Sequence, residues 1–214
     1  MSAFIPGLII QSVTDYPFNQ PTQPTINEPK PPGIARRILG FFGSVLQTVV
    51  FAVILFFVVN MITARIRVEG DSMEPSLIDG QFVVVNKLEY ALRDPRRGDI
   101  IVFNFPLNPN RRFIKRIIGL PGDRLQVLDG QVFINGYLLN EPYLAVPPAY
   151  NAQWDIGMGE VFVLGDNRNN SSDSQNWGAL AMEEIIGKAI FVYWPTESMG
   201  WIPHYDLAAA ADGG

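Results

Sequence analysis

The chain has 214 residues, of which 48% are hydrophobic and only 17% charged, with a formal net charge of -5. That balance argues against a nucleic-acid binder, which needs surplus cationic side chains to meet phosphate. With no cysteine, disulfides and thiol catalysis are excluded, and cysteine usage leaves the redox compartment open.

In chain order, residues 1–37 are predicted to be a disordered tail. The stretch "NQPTQPTINEPKPPG" is rich in Pro, Thr and Asn and has too little apolar surface to fold. Residues 38–63 are predicted to be a transmembrane helix. From Gly40 to Ile62 the run "GFFGSVLQTVVFAVILFFVVNMI" carries no charge, and at about 1.5 Å per residue it can cross a hydrocarbon core of about 30 Å. A buried core helix of this length would keep a polar face. A cleavable signal peptide would have a shorter apolar region closer to the start of the chain. Lys30, Arg36 and Arg37 precede the run, and Arg65 and Arg67 follow it. This slight bias favours a cytoplasmic tail.

Residues 64–204 read as a β-rich domain, with 205–214 as a flexible end. About 150 residues after the span suffice for an independently stable unit that buries roughly 70% of its unfolded surface. Short runs such as "QFVVVN", "DIIVFNF", "RFIKRIIG", "QVFING" and "GEVFVLG" alternate with Gly, Pro, Asn and Asp. Asp129-Gly130 and Asn135-Gly136 predict type I′ hairpin turns, which need positive φ at both central positions, and together a meander from Leu125 to Leu139. A short helical turn is expected near Ala181 to Ile186. The expected fold is mainly β: one transmembrane helix carrying a partly closed, mostly antiparallel β domain.

"EGDSMEPSL" places Ser72 in a loop between two strand-like runs. Such a serine usually makes a turn; a nucleophile would need a base within hydrogen-bond reach. His204, in "WIPHYD" near the end of the chain, is a poor candidate, which leaves lysine. Lys30 lies in the tail, whereas Lys87, Lys115 and Lys188 lie in or beside strand-like runs. In "RRFIKRIIG", Phe113, Lys115 and Ile117 share one strand face and Ile114, Arg116 and Ile118 the other. An ammonium on an apolar face would be poorly solvated, and desolvation lowers its pKa. Lys87 and Lys188 alternate similarly, so the pattern alone does not choose.

Four blocks in order, "GDSMEPSL", "RRGDIIVF", "FIKRIIGLPGD" and "GDNRNNSSDSQNWG", make the chain resemble the type I signal peptidases, membrane-anchored serine proteases with a Ser/Lys dyad. The resemblance runs from the span to about Trp194 and implies a fold of coiled antiparallel sheets. It also implies Ser72 as nucleophile, Lys115 as general base and Ser171 as a hydrogen-bond partner that orients the lysine. Asp166, Arg168 and Asp173 match positions that hold the site's shape, and the backbone N–H of Ser72 would bind the oxyanion. Gly70 stands where many members have a serine whose hydroxyl completes the oxyanion hole. Gln175 replaces a common arginine, with weaker support expected, and Asn169 replaces a common aspartate.

The family removes signal peptides from exported preproteins, cutting after small residues of the Ala-X-Ala type. Ile66, Val68, Leu77, Val83 and Phe113 fall at or near the matching pocket positions. Arg65 and Arg67 would point away from Ile66 and Val68, toward lipid headgroups. Implied partners are preprotein signal peptides and membrane lipid, near the export machinery; no cofactor, metal or nucleic acid is implied. The implied location is the plasma membrane, with the tail in the cytoplasm and the catalytic domain outside. Two alternatives remain: a specialised organellar or maturation Ser/Lys peptidase, and an inactive membrane-anchored binding module. A soluble self-cleaving repressor is disfavoured by the span and by the lack of a basic DNA-binding segment.

Overall fold

A computed structural model of the protein describes residues 34–205 and Leu207. The expected amino-terminal tail up to residue 33, and residues 206 and 208–214 of the expected carboxy-terminal end, lie outside the described residues. Two compact units divide within the first helix, between Thr48 and Val49.

That helix, α1 (Ile34–Ile62), contains the apolar run. The run has a mean hydropathy of 2.6, none of its window is buried, and it is long and apolar enough to cross a membrane. In the first unit Ser44 donates to the Phe41 carbonyl and Thr48 to the Ser44 carbonyl, so both hydroxyls are satisfied inside the helix.

The second unit is mainly β, as expected. β1 (Thr63–Arg67) follows α1 without a loop. β2 (Phe82–Asn86), β3 (Ile100–Phe105) and β4 (Asn108–Gly119) come next, then β5 (Arg124–Leu128), β6 (Gln131–Ile134), β7 (Tyr137–Leu138), β8 (Ala152–Asp155) and β9 (Glu160–Leu164). β10 (Leu180–Ala181), β11 (Ile185–Trp194) and β12 (Gly200–Trp201) complete the strands. The large sheet runs β1-β2-β11-β3-β4-β9-β10, with β12 beside β11; the small one runs β7-β6-β5-β8. Every pairing is antiparallel. The predicted meander is β5-β6-β7, and its turns have φ of 49° and 78° at Asp129 and Gly130 and of 53° and 87° at Asn135 and Gly136.

The sequence reading missed two single-turn helices, α2 (Glu89–Leu92) and α3 (Ser174–Trp177). The helical turn expected near Ala181 is a 3-10 turn, Met182–Glu184. Strand β8, "AQWD", was also missed, because its alternating burial lacks β-branched residues. The packed chain reaches past the expected boundary at 204: Tyr205 packs against the core and Leu207 is buried in it.

One feature of the register positions the site. β4 pairs with β3 along most of its length but with β9 only from Arg116 onward. Its exposed first half therefore keeps a free edge, while from Ile114 it is buried on both faces. Among the described residues β1 pairs with β2 alone, and so is also an edge.

Candidate active site

Ser72 sits in the loop joining β1 to β2, and the loop is held from several sides. Val68 N–H donates to the Gln81 carbonyl at 2.7 Å and Gly80 N–H returns to Val68 at 3.0 Å. Gly70, at φ 79°, donates to Asp79 Oδ1 at 2.8 Å, a conformation costly for a residue with a Cβ. The next residue, Met73, is fully buried in the core under β2. Asn167 donates from its backbone to the Ser72 carbonyl at 3.1 Å and from its side chain to the Asp71 carbonyl at 3.2 Å.

Lys115 comes from the central, doubly covered part of β4 and is 4% exposed. Its Nζ lies 2.6 Å from Ser72 Oγ and 2.9 Å from the Ile114 carbonyl oxygen, and 5.4 Å from the centre of the Phe113 ring. Burial pulls the amine down to about 8, against the opposing pull of Asp173 and Asp166. The two other lysines left open by the pattern are elsewhere: Lys188 pairs with Asp99 at 2.7 Å and Lys87 is exposed. His204 also lies against Asp99, at 3.4 Å.

Around the lysine, two arginines and their acids form a buried frame. Arg116, on the opposite face of β4, donates from Nε and Nη2 to the two oxygens of Asp166, at 2.9 and 2.6 Å. It also reaches the Gly98 carbonyl and Ser76, and its guanidinium stacks 3.9 Å from the Tyr143 ring centre. Arg168 forks onto Glu141 and touches the Tyr143 hydroxyl; Glu141 holds this guanidinium charged against strong desolvation. Arg116, Glu141 and Tyr143 were missed by sequence reasoning. The only signal for Arg116 was its place on the opposite face from Lys115. Glu141 and Tyr143, in "NEPYL", had no local signal, because their partners lie far along the chain.

Asp173 caps α3, accepts from Gly165 N–H at 2.9 Å and from Gln175 N–H at 3.2 Å, and receives reciprocal support from Asn176. Burial pushes its carboxyl up, opposed by these donors, Ser171 and Lys115. The expected bond from Ser171 to Lys115 is not made. Ser171 Oγ is buried without a well-aligned partner, packed against Gly165 beside the Ser72 carbonyl; Lys115 Nζ is occupied by Ser72 and the Ile114 carbonyl. Gln175 donates to the Arg168 carbonyl at 3.4 Å, a neutral and long contact. Asn169 uses both ends of its amide, to Pro147 O and from Ala149 N, which a carboxylate could not do.

A cleft of about 630 Å³ opens over Ser72 and Lys115 between the free edges of β1 and β4. Ile66 and Phe113 line it, with Ile114; Arg65, Arg67, Arg111 and Arg112 stand around it. Val68, Leu77 and Val83, expected beside them, do not line it. Each is 1% exposed or less and closed into the core under the serine loop, where inward alternation from β1 and β2 carries them.

Residues 42–194 match the family model described as signal peptidase, peptidase S26. A probable signal peptidase I-2 from Synechocystis sp. is 43% identical over 161 residues, covering 72% of this chain and 74% of that one. A signal peptidase I from Leptolyngbya laminosa is 37% identical over 201 residues, covering 89% and 95%. A thylakoidal processing peptidase 1 from Arabidopsis thaliana is 37% identical over 152 residues, covering 66% of this chain and 45% of the relative. The fold, the cleft and these matches lead to one assignment: the chain belongs to the signal peptidase family, peptidase S26, and is a serine endopeptidase of the signal peptidase I type that removes signal peptides.

Proposed function

We propose that the cut is made by a Ser72/Lys115 dyad through an acyl-enzyme. The observation that carries this reading is the 2.6 Å approach of Ser72 Oγ to an amine held near pKa 8 by burial. With that value roughly a tenth of the lysine is neutral at pH 7 and half at pH 8, so a competent base is present under ordinary conditions. Neutral Lys115 takes the hydroxyl proton as Oγ attacks the scissile carbonyl. The ammonium then protonates the leaving amine, and a water deprotonated by the same lysine hydrolyses the ester. The Ser72 N–H is the proposed oxyanion donor. Asp166, Arg168 and Asp173 keep the dyad's walls in place, and Ser171 is poised near it to orient the lysine once substrate enters.

An extended substrate fits the cleft as an added strand between the free edges of β1 and β4. Ile66 and Phe113 beside Ser72 favour small side chains at the first and third positions before the cut. The Gly40–Ile62 run anchors the enzyme as a single span, with the tail in the cytoplasm and the catalytic domain on the outer face of the plasma membrane, where preproteins emerge. The relative named a thylakoidal processing peptidase favours a second location, a thylakoid membrane; cell fractionation separates the two.

The test is cleavage of a preprotein by detergent-solubilised full-length protein. Ser72→Ala and Lys115→Arg should both abolish it, the latter because guanidinium cannot act as a base. Robust turnover by the arginine variant would overturn the dyad.

A further inference from the structure

Past β12 the chain stays packed on the β domain. Ile202 N–H donates to the Ile190 carbonyl at 3.0 Å, and the Ile202 side chain packs against the core under the serine loop. Tyr205 and Leu207, shortly after, join instead the core cluster of the small sheet and β9. In passing from one cluster to the other the chain crosses the "RRGD" turn before β3. Gly98 of that turn has φ of 91°, and a Cβ on it would lie 2.1 Å from the Tyr205 carbonyl oxygen and 3.2 Å from the Leu207 side chain. Glycine supplies both the backbone angle and the clearance for the crossing. His204 lies against Asp99, the next residue of the turn, at 3.4 Å.

The crossing places the Tyr205 ring beside Arg116, the neighbour of Lys115 on β4. The Arg116 guanidinium carbon is 5.5 Å from the Tyr205 ring centre and 3.9 Å from that of Tyr143, and the two rings are 5.4 Å apart. Together they cover one side of a buried guanidinium whose hydrogen bonds go to Asp166, the Gly98 carbonyl and Ser76 of the serine loop. Rings against a guanidinium attract it and keep water from its ion pair, which strengthens the pairing. The strength of this pair bears on Lys115. Burial lowers the amine to about 8, and the charges of Asp173 and Asp166 oppose the fall. The more completely Arg116 neutralises Asp166, the less Asp166 opposes it.

We propose that Tyr205 is a positioning residue for the general base: its ring holds Arg116 on Asp166, and the carboxy-terminal segment that carries it is a strap across the "RRGD" turn. The strap keeps Asp166 neutralised and so keeps Lys115 easy to deprotonate. The inference rests on the Ser72/Lys115 dyad proposed above.

The test is the pH profile of kcat/KM on a signal-peptide substrate, from about pH 6 to 10, with the full-length enzyme in detergent. In Tyr205→Leu the rising limb should move up by about half a unit or more, which at pH 7 is a roughly threefold loss of neutral lysine and of rate. The deficit should close above about pH 9.5, and KM should change less than kcat. Tyr205→Phe keeps the ring and should keep the wild-type limb. Val132→Ala, in the same core cluster but on the small sheet, gives plain destabilisation and should leave the limb in place. Should the leucine variant fail to fold, Tyr205→Met keeps more of the bulk, and the same shift is expected. An unmoved limb in the folded Leu or Met variant, a loss equal at every pH, or the same shift in Tyr205→Phe or Val132→Ala would each overturn the strap. Any of these beside a wild-type limb near pH 8 leaves the dyad standing. A flat wild-type profile would overturn the dyad and the strap with it.

Discussion

At the residue scale, the decisive quantity is the proton affinity of Lys115. Burial lowers it from 10.5 to about 8, while Asp173 and Asp166 limit the fall. In the proposed dyad the neutral form is the base, so kcat/KM on a peptide should rise with pH and level off above about 8; a flat profile from pH 6 to 9 would contradict the role of the lysine. The same shift affects stability. Between pH 8 and 10.5 the unfolded lysine binds a proton that the folded one has lost, so stability rises with pH across this window. Below it both states are protonated and the full cost of the buried charge remains, up to ~3 kcal/mol. Lys115→Met should therefore raise Tm at pH 7, with the gain shrinking as pH approaches 10.5. The residue type was legible in the sequence as the only ordinary base left for Ser72, but the choice among Lys87, Lys115 and Lys188 was not. That choice depends on β4 being covered on both faces from Ile114 on, a tertiary fact.

At the element scale, the site depends on β9 and its following turn approaching the serine loop closely. A Cβ on Gly165 would lie 2.3 Å from Ser171 Oγ and 2.4 Å from the Ser72 carbonyl oxygen. Gly165→Ala should therefore shift Ser72, the proposed nucleophile, lowering kcat more than it raises KM, with overpacking costing about 1–3 kcal/mol; unchanged kcat would show that the loop yields freely. The Arg168–Glu141 pair ties the same turn to the segment after β7. Glu141→Leu leaves a buried guanidinium unpaired and should cost about 3–5 kcal/mol in urea unfolding. The turn block "GDNRNNSSDS" reads in sequence as a polar loop. It folds as a capped helical turn because Asp173 and Asn176 satisfy each other's backbone donors, and because Asn167, Arg168 and Asn169 find partners remote in sequence, at Asp71, Glu141 and Pro147.

At the scale of the whole molecule, the two sheets share one core cluster. Leu125, Val127, Val132 and Ile134 of the small sheet pack with Phe162 and Leu164 of β9, and Trp154 stacks 4.7 Å from Phe162. Val49–Gly214 is a single compact unit, so the small sheet should not unfold separately. Far-ultraviolet circular dichroism and tryptophan fluorescence should show coincident denaturant transitions for the β domain; two separated midpoints would contradict this.

Local features were legible in the chain alone: the apolar span, the strand periodicity, the Asp-Gly and Asn-Gly turns and the presence of a serine with only lysine as partner. These follow from hydropathy, alternation and backbone preference, which act over a few residues. Tertiary structure alone decided which lysine meets Ser72, that Val68, Leu77 and Val83 close into core while Ile66 and Phe113 line the cleft, and that Arg116 and Glu141 hold the frame. Those outcomes depend on strand order and on which edges stay unpaired. They arise from contacts between segments distant along the chain, which no local pattern encodes.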